Sequence, residues 1–289
     1  MRLCQADRDA SPLRSDLMHA GADSFRSTVW REQHATSGTR ILAEEVAVAM
    51  SYNGSTHAVL MATPVDLQDF AIGFSVTEGI VDSVEAIEAV DIVEFGIGLD
   101  IQIRVRDDIA RRLASRRRSM AGPVGCGMCG LESLEAATRH LPPVTSQMRF
   151  KPSDITTAAH CLEHQQSLNQ VTGAAHAAAF LVPGQSTRLV REDVGRHNAL
   201  DKLIGATLSA GIDLTSGGFL VTSRASVELV QKTAIVGCGL LAAISAPTAY
   251  AARAAEAANL TLAAVVRGRS FEVFSGRGRI DAEVIADVA

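Results

Sequence analysis

The chain predicts an α/β protein preceded by a smaller α+β unit. Two observations carry this reading. From about residue 177 onward, short apolar strands alternate with helical stretches, and regular alternation of this kind builds a mostly parallel sheet with helices packed on it. Residues 44–106 carry a different rhythm of hairpin and helix signals. With 289 residues there is room for two modest cores. The expected division is a poorly ordered tail over 1–25, a small α+β domain over 26–120, a mobile two-thiol loop over 121–131 and the larger α/β domain over 132–289.

Residues 1–25 are polar, mixed in charge and without periodicity, as in a loose terminus. From Glu44 apolar and polar residues alternate through Val46, Val48, Met50 and Tyr52. Asn53-Gly54 then supplies the positive φ angles of a tight hairpin turn, and a second strand resumes at His57. Thr63-Pro64 reads as the N-cap and first residue of a helix whose apolar stripe is Leu67, Phe70, Ala71 and Phe74, closed by Gly79. Segments 90–95 and 99–106 read as another strand pair. Asp107 to Arg118 reads as a helix with Asp107/Arg111 and Asp108/Arg112 at i,i+4 spacing and a basic end. Beyond residue 131, Ser153 to Gln170 predicts one helix capped by Ser153. Strands over 177–182 and 187–191 flank a Pro183-Gly184 turn. Then come strand 217–222, helix 226–236, strand 240–245, helix 248–258, strand 261–266 and a last strand over 271–274.

Composition narrows the function class. Apolar residues make up 47% and charged residues 20%, ordinary for a soluble globular protein. A net charge of -5 argues against a general nucleic-acid binder, and 4% aromatics leave few stacking platforms for single strands. The longest apolar run, Ile235 to Ala246, is too short to span a bilayer, and no export signal heads the chain. Five cysteines without a disulfide-like framework fit a reducing cytoplasm.

The chemistry-bearing feature is the loop Gly122-Pro123-Val124-Gly125-Cys126-Gly127-Met128-Cys129-Gly130. Its glycines strip side chains from around Cys126 and Cys129, so sulfur can be presented to bulky partners. A structural zinc site would need two further ligands, and the other cysteines are scattered singly. A redox switch would place the pair at a strand end opening a helix. Sulfur transfer through a persulfide needs an accessible, low-pKa thiol and explains the open loop best. Deaminase chemistry is excluded: the thiol pair precedes His176, and Ala178 stands where the catalytic Glu would be.

Asp193 is placed to cap a helix starting near Gly195, which puts Arg196 and His197 in the first turn, where cations oppose the helix dipole. Ser223-Arg224-Ala225-Ser226 and Ser245-Ala246-Pro247-Thr248 occupy the next two strand-to-helix turns. Such turns line up at the carboxyl edge of an open α/β sheet, where ligands bind. Asp193, Arg196, His197, Ser223 and Arg224 are therefore candidates for holding a phosphate or pyrophosphate, against the plainer reading of ordinary caps. His176 heads an Ala-rich strand and reads equally as a buried, hydrogen-bonded histidine. Phe274-Ser275-Gly276-Arg277-Gly278-Arg279 reads as a weak phosphate-clamp motif.

Taken together these residues resemble the FdhD family of sulfurtransferases accessory to formate dehydrogenases. The resemblance spans about residues 40–280. It rests on Glu44 to Val48, Asn53-Gly54, the run from Met61 to Phe74 with Thr77 to Ile80, Cys126 to Gly130, Thr172 to His176 and the block from Glu192 to Lys202. Ser223-Arg224, Lys232 and Ser245 to Thr248 also fit. It implies a cytidine-deaminase-like larger domain, and sulfur taken as a persulfide from a cysteine desulfurase. That sulfur passes to the molybdenum bis(molybdopterin guanine dinucleotide) cofactor of formate dehydrogenase. It further implies Cys126 as the persulfide carrier, Cys129 as a second or resolving thiol, and Phe274 to Arg279 as cofactor-binding. No metal is expected as a resident group, and a homodimer is one option. Many members have Ser before the first cysteine, whereas this chain has Gly125. The rival reading is a non-catalytic guanine dinucleotide chaperone whose two cysteines hold zinc or sense redox state.

Overall fold

A computed structural model describes residues 21–120, 141–185 and 187–281. Cys126 and Cys129 lie outside the described residues, as does most of the expected tail. The first described element is a two-stranded antiparallel ribbon, β1 (Ala22–Arg31) and β2 (His34–Ala43), joined by a two-residue turn with Glu32 at φ 53°. Residues 22–25, read as tail, belong to this ribbon.

A four-stranded sheet follows, with β3 (Val46–Tyr52), β4 (Ser55–Ala62), β5 (Ile87–Phe95) and β6 (Gly98–Val105) in the order β4-β3-β6-β5. The β3–β4 turn falls at Asn53-Gly54 as expected, with φ of 45° and 79°. The Asn53 amide also braces β6: it donates to the Val105 carbonyl at 2.8 Å and accepts from the Val105 N–H at 2.9 Å. Alternate residues Val48, Met50, Ile101 and Ile103 turn to one face. They meet Phe70 and Phe74 of α1 (Leu67–Thr77) and Ile109 of α2 (Asp107–Met120) in a dry core.

The start of α1 differs from the sequence reading. Asp66, at φ 53°, precedes the first helical residue, and Thr63 lies a turn earlier as a buried strand-exit residue. Its polar groups are used elsewhere: the Thr63 N–H donates to Asp193 Oδ2 and its hydroxyl accepts from the Val194 N–H. A cap signal read locally was a tertiary contact.

The larger sheet has six strands in the order β12-β11-β10-β9-β7-β8. They are β7 (His176–Leu181), β8 (Leu189–Asp193), β9 (Gly218–Val221), β10 (Leu240–Ala243), β11 (Thr261–Arg267) and β12 (Ser270–Ser275). Only β9, β10 and β11 run parallel; β7, β8 and β12 pair antiparallel. The sheet is therefore mixed rather than mostly parallel. The cause is connection length: the short Pro183-Gly184 and Gly268-Arg269 links can only return a strand antiparallel, whereas helical crossovers feed the central three. Side chains alternate between faces. Phe180, Phe219, Val221, Leu241 and Ala243 meet α5 (Arg196–Ser209), α6 (Val227–Ile235) and α7 (Ala249–Ala257), while Ala177, Ala179, Leu220 and Ala242 meet α3 (Pro152–Gln165). The helix predicted over 153–170 is two, since Gln166 breaks α3 from the short α4 (Ser167–Thr172). Lys151 rather than Ser153 takes the N-cap position of α3, with Pro152 opening the helix.

The two sheets are joined through α1 crossing α5. A β-carbon on Gly73 would overlap the Asp201 carbonyl, and one on Gly205 would overlap the Asp69 carbonyl. Only glycine permits that backbone approach. Among the described residues no helix is long and apolar enough to cross a membrane.

Candidate functional site

Strand polarity brings the candidate residues to one edge. The parallel strands β9 and β10 end at Val221 and Ala243. Strand β7, antiparallel to β9, begins at that same edge with His176, and β8 returns there with Asp193 opposite His176. Helices α5, α6 and α7 all start there, behind Gly195, Ser226 and Thr248. The second and third turns are tied together, because the Thr248 N–H donates to the Ala225 carbonyl at 3.0 Å.

Arg196 opens α5, where a cation is disfavoured by the helix dipole. Its Nε is buried and has no hydrogen-bond partner among the described residues. An orphan guanidinium donor at the converging ends of helices is an acceptor site in waiting. Two imidazoles share its field. Burial holds His176 below its usual pKa, and Arg196 adds to that. Burial likewise lowers His197, with Arg196 reinforcing and the Glu228 carboxylate opposing. His176 Nδ1 lies 3.5 Å from Thr222 Oγ1, and His197 Nε2 lies 3.4 Å from Ser226 Oγ and 3.8 Å from Glu228. The Ser226 side chain makes no capping bond to α6. Arg224 is exposed at the rim, while Ser223 is buried with its hydroxyl on the Arg224 carbonyl. The arrangement can receive an anion on one fixed cation and two neutral imidazoles, each able to donate or accept a proton.

Not every predicted residue joins this edge. Asp193 turns away and is fully buried in an ion pair with Lys202 at 2.6 Å. Lys202 also donates to the Thr63 carbonyl, and burial pulls its ammonium below the ordinary value against the pull of Asp193. Asn198 donates to both Asp193 and the Met61 carbonyl. Asp201 pairs with Lys232, which also reaches Glu78 at 2.7 Å. Burial disfavours the Lys232 charge, but Asp201 and Glu78 overcome it and raise the pKa. Glu192 accepts from the N–H groups of Leu168 and Asn169 and so caps α4 from a distance. Asp193, Val194, Asn198, Asp201 and Lys202 of this block thus lock the two sheets together. Arg196 and His197 are the two it turns toward the edge.

Phe274 to Arg279 lies elsewhere. Ser275 pairs with Leu262 at the start of β11, which is the opposite edge of the sheet. Arg279 is buried there and donates to the carbonyls of Ser146, Asn259 and Val144. Arg277 and Phe274 remain exposed. Sequence reasoning missed Glu228 and Ser226 as neighbours of His197. The signal was faint: Ser226 is the N-cap that ends the Ser223-Arg224 turn, and Glu228 lies in the first turn of α6. Cys238 is buried and free, and burial pushes its thiol up to about 12, which removes it as a nucleophile. Among the described residues no group of three or more His, Cys, Asp and Glu side chains is placed to hold a metal ion.

Residues 43–281 match the model of the FdhD/NarQ family. The chain belongs to that family. A sulfur carrier protein FdhD from Agrobacterium fabrum is 53% identical over 254 residues, covering 88% of this chain and 94% of the relative. Another from Cupriavidus necator is 48% identical over 283 residues, covering 98% of each. A crystal structure described as a formate dehydrogenase accessory protein from Desulfotalea psychrophila superposes with a TM-score of 0.70 at 22% identity, covering 90% of this chain and 99% of that one. It shares the fold of this FdhD/NarQ member, mixed sheets included.

Proposed function

We propose that the chain is a sulfurtransferase of formate dehydrogenase maturation. Cys126 takes sulfur from a cysteine desulfurase, and the molybdenum bis(molybdopterin guanine dinucleotide) cofactor receives it as substrate. The support is family membership over nearly the whole chain together with an edge where Arg196 Nε is buried without a hydrogen-bond partner among the described residues. In the loading step, the Cys126 thiolate attacks the outer sulfur of the desulfurase persulfide. The S–S bond there breaks, the desulfurase leaves as thiolate, and Cys126 carries the sulfane sulfur. In delivery, the Cys129 thiolate attacks Cys126 Sγ, expels the outer sulfur as hydrosulfide toward the metal and leaves a Cys126–Cys129 disulfide for a cellular dithiol to reduce. Arg196, His197, His176 and the Ser223–Arg224 turn hold a phosphate of the guanine dinucleotide at the carboxyl edge. Asp193 serves by fixing the Gly195 turn, whose N–H it accepts at 2.7 Å. Exposed Arg277 with Phe274, Ser275, Gly276 and Gly278 forms a second contact at the far edge, and Arg279 holds that segment in shape.

The test is mass spectrometry after incubation with a cysteine desulfurase and cysteine. One added sulfur mapped to Cys126, absent from Cys126→Ala, supports the reading. Stoichiometric zinc released by thiol modification, with no sulfur gained, favours the chaperone alternative.

A further inference from the structure

The outer side of α3 carries two histidines that the sulfur chemistry does not use. Ile155, Ala158, Ala159 and Leu162 turn inward onto the six-stranded sheet, on the face opposite to α5, α6 and α7. His160, Glu163 and His164 turn outward and are exposed. Four positions apart, the two imidazoles sit one above the other on the helix surface. Their ring centres are 5.1 Å apart and their planes stand at 88°. A metal ion about 2.0–2.1 Å from a ring nitrogen lies about 3.2 Å from the ring centre, and two rings about 90–110° apart around it have centres about 4.5–5.2 Å apart. The helix therefore holds the rings at the spacing of a chelate. Ring rotation, a broad torsion for histidine, aims one nitrogen of each at a common point.

A carboxylate stands beside the pair. Glu163 Oε2 lies 3.8 Å from His160 Nδ1. An acidic neighbour on that side favours the proton on Nδ1 and leaves the Nε2 lone pair for an ion, as the partners of ligating histidines do. The run His160-Cys161-Leu162-Glu163-His164 also has the H-x-x-E-H spacing of one class of zinc hydrolase. Hydrolysis needs a third protein ligand, and among the described residues no group of three or more His, Cys, Asp and Glu side chains is placed to supply it. The arrangement suits holding an ion and not catalysis.

We propose that His160 and His164 chelate a divalent late first-row metal ion, with water in its remaining positions and Glu163 orienting His160. Imidazole ligands favour nickel, copper and zinc over magnesium and calcium. The clamp reaches into the last turn of α3, just ahead of Gln166, where the chain breaks into α4. A bound ion therefore ties down that helix end. The site needs neither Cys126 nor Cys129, so it stands apart from the sulfur chemistry.

Calorimetric titration of the full chain with nickel(II) chloride tests it, with circular dichroism to confirm that each variant folds. Thiols also bind such ions, so every protein carries Cys126→Ser with Cys129→Ser. This parent takes up one nickel ion per chain at the histidine pair. His160→Gln and His164→Gln each weaken that uptake at least tenfold, and Glu163→Gln weakens it about tenfold. Saturating nickel raises the melting temperature of the parent and leaves that of the double histidine variant unchanged. No uptake with nickel in excess, or uptake that survives the double variant, overturns the site. Loss in only one of the single histidine variants overturns the chelate, and an unaffected Glu163→Gln overturns the orienting role of the carboxylate.

Discussion

Arg196 and Arg279 are both arginines near strand ends, yet their surroundings assign them opposite work. Arg279 spends its donors on three backbone carbonyls, so Arg279→Ala strands those acceptors in the interior and costs about 1–3 kcal/mol or more. Arg196 leaves Nε unpartnered, so Arg196→Ala should leave the denaturation midpoint nearly unchanged while weakening GDP binding about tenfold. Chemical denaturation and calorimetry on the two variants check both outcomes. The imidazoles add a pH signature. His176 and His197 are held below their usual pKa, so the folded state resists taking up their protons. Their contribution to stability is complete above the unfolded value of roughly 6.5 and is lost as pH falls from there through the lower folded-state value. Melting temperature should drop between pH 7.5 and 5.5, and drop less in His176→Gln with His197→Gln. An equal drop in both proteins excludes the histidines as the cause.

At the scale of elements, the α1–α5 crossing is held by backbone contact and by buried ion pairs. Gly73→Ala and Gly205→Ala should each destabilise by about 1–3 kcal/mol or more, since the helices must separate to admit the methyl. Lys202→Met should cost about 3–5 kcal/mol, because Asp193 is left charged in a dry site. Adding Asp193→Leu to Lys202→Met should recover part of that loss in urea melts, and no recovery would mean the pair acts through packing alone. This joint explains what was legible in the sequence. Strands and helices of the larger sheet announced themselves because each has a dry face and a local period. Thr63 misled because its partners at Asp193 and Val194 lie about 130 residues away, beyond a local cap reading. Asp193 does hold the Gly195 N–H but turns its charge to buried Lys202 instead of the edge. The β1–β2 ribbon gave no signal for a related reason. Both of its faces are exposed, so no apolar alternation is imposed on it, and its Glu32-Gln33 turn carries no glycine.

For the whole molecule the open question is which edge of the larger sheet meets the phosphate. The sequence offered Arg196, Arg224 and the Phe274–Arg279 segment alike as cofactor-binding candidates without relative positions, because strand count alone does not reveal that β12 runs antiparallel. The fold sets them at opposite ends of β11, whose seven residues span about 23 Å. A nucleoside diphosphate is too short to touch both. On the proposed function its phosphates sit at the carboxyl edge, where three helices begin and Arg196 Nε is unpartnered among the described residues, rather than beside Arg277, the exposed arginine of the other segment. Arg196→Ala should therefore remove most GDP affinity and flatten its decline with salt, while Arg277→Ala leaves both unchanged. The full bis(guanine dinucleotide) cofactor has two nucleotide arms, and for that ligand alone Arg277→Ala should also weaken binding. The reverse pattern, with GDP lost in Arg277→Ala and retained in Arg196→Ala, would move the phosphate site to the far edge and leave the orphan guanidinium to some other anion.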